Sequence, residues 1–315
     1  MKRPGIVFLD AETIGEVNSF YVLTKLGNLT VYQSTPEELR MERIHGKEIV
    51  ITNKVIINKE VIDACPSMKL VCIAATGMNN IDLEYASLKG ITVRNVAGYS
   101  TESVVQHTFS LLFYLMGNLR YYDDFVRQGT YAQSRLFTHH GRPFHELAGK
   151  KFGIIGMGTI GKRVAIAATA FGAEVYYYST TQRNLDTGYR HLPLSKLLTE
   201  CDIISIHCPL TASTRDLIGY EELRKMKKEA LIINAGRGGI INESDLACAL
   251  NENLIGGAGL DVLLKEPPDT GNPLFHIDHP GKLLITPHIA WASCESRERL
   301  MQGIIDNITD FLAGR

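Results

Sequence analysis

No apolar run in the sequence is long enough to cross a bilayer. The longest strongly apolar stretch, Leu111 to Gly117, falls far short of the ~20 residues a spanning helix needs. Neither charge is in excess, with 33 Lys and Arg set against 34 Asp and Glu, so there is no electrostatic footprint for nucleic acid or an anionic membrane. The six cysteines, Cys65, Cys72, Cys201, Cys208, Cys248 and Cys294, contain no C-x-x-C pair. Most lie in apolar runs such as LVCIA and read as buried free thiols of a reducing cytoplasm, not as disulfides or metal ligands; no metal is expected. The start KRPGIVFLD has only four apolar residues before Asp10 and reads as a first strand, not a signal peptide. Low-complexity tracts and short repeats are missing too, and 45% hydrophobic residues argue against disorder. These exclusions leave soluble small-molecule chemistry.

Single cores stop growing near ~250–300 residues, so 315 residues predict two domains. β-type runs alternate with helical patterns from the start: GIVFLD, NLTVYQ, EIVITN, LVCIAAT and ITVRNV. Strands spaced in this way indicate βαβ units and a parallel sheet. The rhythm breaks near Ser100, where TESVVQHTFSLLFYLMGNLRYYDDFVRQG carries helical spacing for about five turns from the capping candidate Thr101 and predicts a long helix between two domains. Thr130 to Leu147 is irregular and rich in His, Arg and Pro, a surface excursion. A second alternating series runs from KFGIIG through AEVYYYS, DIISIHC, ALIINAG and IGGAGLDV to LLITPHIA, and ESRERLMQGIIDNITDFLAG is an amphipathic helix.

GIIGMGTIGKRVA places G-x-G-x-x-G at Gly156, Gly158 and Gly161, after a strand and opening a helix. The first glycine permits the tight turn, the second lets a pyrophosphate approach the backbone, and the third lets helix and strand pack closely. The exposed N–H groups at the helix start then bind the phosphate anion.

Three ionisable residues follow strands of the second series: Arg237 in IINAGRGGIIN, Glu266 in GLDVLLKEPP and His288 in LLITPHIAWAS. Reduction of a 2-oxo acid needs a cation to hold the carboxylate and polarise the ketone, which suits the donor fork of Arg237. It needs a proton donor that titrates near working pH, which suits His288, and a carboxylate to orient that imidazole, which suits Glu266. Singly, each has a plainer reading: Arg237 as a surface ion-pair arginine, Glu266 as a loop charge beside prolines, His288 as a capped strand-end histidine.

Together, GIIGMGTIGK, IHCPLTASTRDLI, ALIINAGRGGIINE, GLDVLLKEPP and ITPHIAWAS, in this order, resemble the D-isomer-specific 2-hydroxyacid dehydrogenases. The resemblance covers essentially the whole chain. It implies an α/β protein of two doubly wound parallel-sheet domains, a Rossmann cofactor domain (100–287) inserted into a flavodoxin-like substrate-binding domain (1–99 and 288–315), with the active site in the cleft between them. It implies an Arg237, Glu266, His288 triad, and a substrate carboxylate held by Arg237 and by the backbone N–H groups of Thr76 and Gly77. For NAD or NADP it implies contacts from Gly156, Gly158, Thr159, Ile160 and Gly161, from His207 to Pro209 along the adenosine, and from Asn234, Ala235 and Gly236 at the nicotinamide ribose. It adds Asp261 at the nicotinamide carboxamide, with His288 and Ala290 nearby. The Thr101 helix and the excursion resemble the arm through which members dimerise, so a cytoplasmic homodimer is expected.

TGMNNID and WAS look most like the hydroxypyruvate/glyoxylate reductase and glycerate dehydrogenase branch. D-3-phosphoglycerate dehydrogenases commonly carry carboxy-terminal regulatory domains where this sequence has a single helix, and D-lactate dehydrogenases are a further alternative. Formate dehydrogenases of the superfamily have glutamine at the Glu266 position. The alternative of another class is a non-catalytic NADH-sensing corepressor-like dimer, whose recognition tails have no counterpart here.

One more absence bears on the cofactor. YYYSTTQRN, Tyr176 to Asn184, holds no carboxylate where the ribose-binding acid is expected, about 20 residues beyond the glycines. Ser179, Thr180 and Thr181 stand there, with Arg183 beyond. Loss of the acid removes repulsion toward a 2′-phosphate, which hydroxyls and an arginine can bind, so NADP use is suggested. The plainer reading is a solvated turn, with NAD still bound through its pyrophosphate and nicotinamide.

Overall fold

The structure, a computed structural model, describes residues 3–181 and 188–315. The chain divides into two compact units, Met1–Ser100 with Trp291–Arg315, and Thr101–Ala290.

In the first unit, strands β1 (Gly5–Phe8), β2 (Asn28–Val31), β3 (Ile49–Thr52), β4 (Leu70–Ile73) and β5 (Thr92–Arg94) form a wholly parallel sheet in the order β2-β1-β3-β4-β5. β3 and β4 are buried at every position, which is why IVIT and LVCI read as unbroken apolar runs. This is the flavodoxin-like order, whose topological switch falls between β1 and β3. The helix Cys294–Leu312 covers one face, burying Leu300, Ile304 and Ile308 at i, i+4 spacing together with Met301.

In the second unit, β6 (Lys151–Ile155), β7 (Glu174–Tyr178), β8 (Arg190–His191), β9 (Ile203–Ile206), β10 (Leu231–Asn234), β11 (Gly257–Leu260) and β12 (Leu283–Ile285) run parallel in the order β12-β11-β10-β9-β6-β7-β8. The order reverses between β6 and β9, the crevice in which open α/β sheets bind ligands.

Three expectations change. The long helix predicted from Thr101 is two helices, Thr101–Met116 and Leu119–Arg127, because the chain turns at Asn118 with φ 48° and Asn118 Nδ2 donates to Pro143 O. The first belongs to the second unit, burying Val105, Phe109 and Leu112 beside β6 and the helix Thr159–Ala170. The second unit extends to Ala290 because the Asp261 carboxylate accepts from Ile289 N and Ala290 N, so His288 stands with the second sheet. Of the cysteines, Cys65, Cys72, Cys201 and Cys208 are buried free thiols, whereas Cys248 and Cys294 are exposed.

The excursion is held against the second helix. The His139 ring stacks on Phe125 at 3.8 Å and shares a hydrogen bond of 2.7 Å with the Tyr121 hydroxyl.

Candidate active site

Six parallel strands of the second unit end at the predicted residues. Gly156 follows β6, Ser179 follows β7, His207 follows β9, Ala235 follows β10, Asp261 follows β11, and Thr286 leads from β12 to His288. Parallel strands place all their carboxyl ends on one edge, so these residues converge although they are scattered over 130 positions. A small apolar cluster of Val104, Ala235 and Ala290, with Ile160 against it, ties three of the turns to the helix Thr101–Met116.

The glycine turn has the shape its spacing implies. Gly156 has φ +98°, and a Cβ there would lie 2.6 Å from Cys208 N. At Gly161 a Cβ would lie 2.1 Å from Gly156 O, so helix and strand touch backbone to backbone. Gly158 differs: a Cβ there would meet nothing within 4 Å, leaving open space over the start of the helix Thr159–Ala170, whose N-terminus no side chain caps. Uncapped N–H groups below an open cradle fit a pyrophosphate.

His207 fits a dinucleotide on independent grounds. Its Nε2 lies 2.7 Å from the Ser205 hydroxyl, and Ser205 is fully buried with no other partner among the described residues. The hydroxyl therefore donates to Nε2, and the ring proton sits on Nδ1. The residue as a whole is partly exposed, but Nδ1 is sealed and has no partner among the described residues. A buried N–H with no acceptor suits a ribose or phosphate oxygen, beside the β6/β9 crossover where one would lie.

Burial also pushes the His207 imidazole down to about 4 from the ordinary 6.5. Because its folded pKa is the lower one, the unfolded chain binds the extra proton between pH 6.5 and 4. Stability from this group is therefore complete above pH 6.5 and is lost as pH falls toward 4, by up to about 3 kcal/mol at ~1.4 kcal/mol per unit. Thermal unfolding of His207→Gln should show a flatter Tm profile than the parent across this window. Parallel profiles would show that His207 is not held neutral.

The Arg237 turn is built from backbone. Asn234, buried, accepts from Gly236 N at 3.0 Å and donates from Nδ2 to Arg237 O at 2.8 Å. A Cβ on Gly238 would lie 1.9 Å from Leu263 O, so only glycine lets this turn meet the segment that leads to Glu266. The exposed guanidinium donates to Gly236 O at 2.8 Å and has no carboxylate within ion-pair distance among the described residues.

Glu266 and His288 are paired. Glu266 Oε1 accepts from Leu263 N at 3.0 Å, and Oε2 lies 2.6 Å from His288 Nδ1. An ionised carboxylate only accepts, so Nδ1 carries the proton and donates it, leaving Nε2, which has no partner among the described residues, for a reacting group. Both side chains keep about a third of their surface in solvent, so this is not a core ion pair. His288 has φ +55°, a left-handed conformation costing a non-glycine residue about 1–2 kcal/mol.

Asp261 has a function that sequence reasoning missed. Its side chain is fully enclosed: Oδ1 accepts from Thr286 Oγ1 at 2.6 Å and Ile289 N at 2.9 Å, and Oδ2 accepts from Ala290 N at 2.8 Å. His107 Nε2 lies 3.3 Å from Oδ1. Burial raises the carboxyl pKa, but the hydrogen bonds from His107, Thr286, Ala290 N and Ile289 N outweigh it and leave the group below the usual aspartate value. The main-chain loop bearing His288 is thus wrapped around one carboxylate.

Among the remaining predicted residues, Ser179 is buried, Thr180 is half-buried and Thr181 is exposed, whereas Arg183 lies outside the described residues. Thr159 and Pro209 are exposed. In the first unit Thr76 and Gly77 follow β4, and Asn95 Nδ2 holds Thr76 O at 2.6 Å. The N–H groups of Thr76 and Gly77 have no acceptor among the described residues.

Residues 109–290 match the family described as D-isomer specific 2-hydroxyacid dehydrogenase, NAD binding domain. A glycerate dehydrogenase from Methylorubrum extorquens is 38% identical over 316 residues, 98% of this chain and 96% of its own. A D-lactate dehydrogenase structure from Aquifex aeolicus, complexed with NAD and lactic acid, superposes with TM-score 0.84 at 28% identity, covering 98% of this chain and 96% of that one. An NADPH-dependent glyoxylate/hydroxypyruvate reductase structure from Sinorhizobium meliloti, with NADP and malonate, also gives TM-score 0.84, at 25% identity over 99% of this chain and 94% of that one. The chain therefore belongs to the D-isomer-specific 2-hydroxyacid dehydrogenase family, and it is an NAD(P)-dependent oxidoreductase of the CH–OH group.

Proposed function

We propose that the chain reduces a short 2-oxo acid, hydroxypyruvate or glyoxylate, to the D-2-hydroxy acid, the glycerate dehydrogenase couple. The observation that carries this reading is the His288–Glu266 pair at 2.6 Å, with Nε2 open and Arg237 without a carboxylate partner, among the described residues, on the same strand edge. A bound NAD(P)H would supply the hydride to C2 and leave as the oxidised nicotinamide, the carbonyl becoming a hydroxyl. Arg237 holds the carboxylate and draws electron density toward the carbonyl oxygen. As the C2–O π pair moves onto oxygen, His288 gives it the Nε2 proton, and Glu266 stabilises the imidazolium beforehand and fixes its orientation. Oxidation of NAD(P)H, followed by absorbance with hydroxypyruvate, glyoxylate, pyruvate and phosphohydroxypyruvate, should give the highest kcat/KM for one of the first two. A preference of about tenfold or more for pyruvate or the phosphorylated acid would overturn the assignment.

NADPH is used at least as readily as NADH. The support is the hydroxyl run Ser179 to Thr181 after β7, with Arg183 in place of any acid. Arg183→Ala should raise KM for NADPH about tenfold and leave KM for NADH within about twofold, since only NADPH carries the 2′-phosphate that a charge-assisted bond would hold. A strong NADH preference in the parent enzyme would refute this.

The protein pairs as a homodimer through the second unit. Leu119, Val126, Leu136, Phe137 and Phe144 are large apolar side chains exposed along the second helix and the excursion, more than isolated surface hydrophobics explain. Sedimentation mass tests it. Four buried free thiols suit a reducing cytoplasm, and no described helix is long and apolar enough to cross a membrane.

A further inference from the structure

The second unit contains a polar chain outside the predicted triad. His107, on the helix Thr101–Met116, reaches Thr286 Oγ1 at 2.8 Å, and that hydroxyl lies 2.6 Å from Asp261 Oδ1. Thr286 has one hydroxyl proton. It goes to the carboxylate, which can only accept, so His107 must donate from Nε2 into the threonine oxygen. The His107 Nε2–H is shared between the Thr286 oxygen at 2.8 Å and Asp261 Oδ1 at 3.3 Å, the Thr286 hydroxyl donates to the same Oδ1, and the carboxylate also takes the N–H groups of Ile289 and Ala290. His288 lies between these anchored positions, its own N–H donating to Asp261 O at 2.8 Å and Thr286 O at 3.0 Å. Its left-handed backbone therefore persists only while the surrounding bonds hold it.

We propose that His107 is a positioning residue for the proton donor: through Thr286 and Asp261 it fixes the 286–290 loop, and hence the direction in which His288 presents Nε2. This rests on His288 being the acid. It assigns His107 no contact with substrate or cofactor. A buried carboxylate needs all its donors, so loss of one lets the loop relax, and a displacement of about 1 Å at a reacting group costs up to ~10²-fold in rate.

The test uses the full-length enzyme with His107→Leu, which fills the space without a donor, His107→Gln, which keeps an N–H donor, and Thr286→Val. His107→Leu and Thr286→Val should each lower kcat about 10- to 100-fold. The Kd for NADPH, by fluorescence, should stay within about twofold, and His107→Gln should recover most of the loss. The double variant His107→Leu/Thr286→Val should be little worse than either single one, because both cut the same chain. A second readout needs no turnover: the proton of the His288 Nδ1–Glu266 hydrogen bond, identified in the NMR spectrum by its loss in His288→Gln, should shift or broaden in His107→Leu. Parent-like kcat with an unmoved proton would overturn the proposal, as would a raised Kd for NADPH with unchanged kcat, which would place His107 in cofactor binding. If His107→Leu does not fold, parent-like kinetics of Thr286→Val overturn it equally. Should His288→Ala prove fully active, the assignment of the acid fails, while the NMR signal still reports whether His107 sets the loop.

Discussion

His288→Ala is expected to lower kcat for 2-oxo-acid reduction about 10²- to 10⁴-fold, the range a positioned general acid contributes. The range follows from what the variant keeps. Arg237 still polarises the ketone, the glycine turn still binds the dinucleotide, and water can deliver the proton inefficiently, so activity falls without vanishing. Three features make His288 the group to remove. Its Nδ1 is committed to Glu266 Oε2 at 2.6 Å, its Nε2 has no partner among the described residues, and its backbone is held left-handed by bonds around Asp261. A strand-end histidine with no task would not be kept in that conformation at a cost. Cofactor affinity should stay within about threefold, because the phosphate-binding turn lies on other strands; fluorescence titration with NADPH and steady-state kinetics together make the measurement. A variant with parent-like kcat would sink the mechanism. A lost Kd with preserved kcat would make His288 a cofactor residue only.

The parts of this site legible in the sequence are those whose chemistry is local. G-x-G-x-x-G declares its turn because Gly161 answers a contact within a few residues and Gly156 one with the chain leaving the adjoining strand, each having backbone where a Cβ would go, while Gly158 leaves the helix start open. The unbroken apolar runs IVIT and LVCI could only be central parallel strands. The break at Asn118 was not legible, because apolar spacing continues from Leu115 through Leu119 and Tyr122 and only a left-handed backbone interrupts it. The task of Asp261 was hidden for a different reason. Its partners His107, Thr286, Ile289 and Ala290 are far from it in sequence, and nothing local shows that they share one carboxylate. Cys248 lies between Ala247 and Ala249 inside one helix and Cys294 between Ser293 and Glu295 at the start of another, and which face turns outward is decided by packing.

Arg237→Met should cost more in kcat/KM than in kcat, and the whole loss should be about 10²- to 10³-fold. Truncating one partner of a desolvated, hydrogen-bonded charge pair costs about 2–5 kcal/mol, and each ~1.4 kcal/mol is tenfold. The middle of that span applies and not its top, because the guanidinium is exposed in the free enzyme and loses little by being uncovered. It pairs with no carboxylate of the protein among the described residues and spends one donor on Gly236 O, so its remaining donors face solvent until an anion arrives. A group in that state contributes little to the fold, and Tm should move by no more than a surface substitution does, about 0.5 kcal/mol in stability. Arg237→Lys separates charge from geometry. It restores the charge without the planar fork, so about tenfold of the loss should return, chiefly in KM, while kcat stays low because a point charge cannot hold the carboxylate and polarise the carbonyl together. Full recovery by lysine would mean that Arg237 acts as a charge alone, and a methionine variant within about threefold of the parent would show that the carboxylate is held elsewhere.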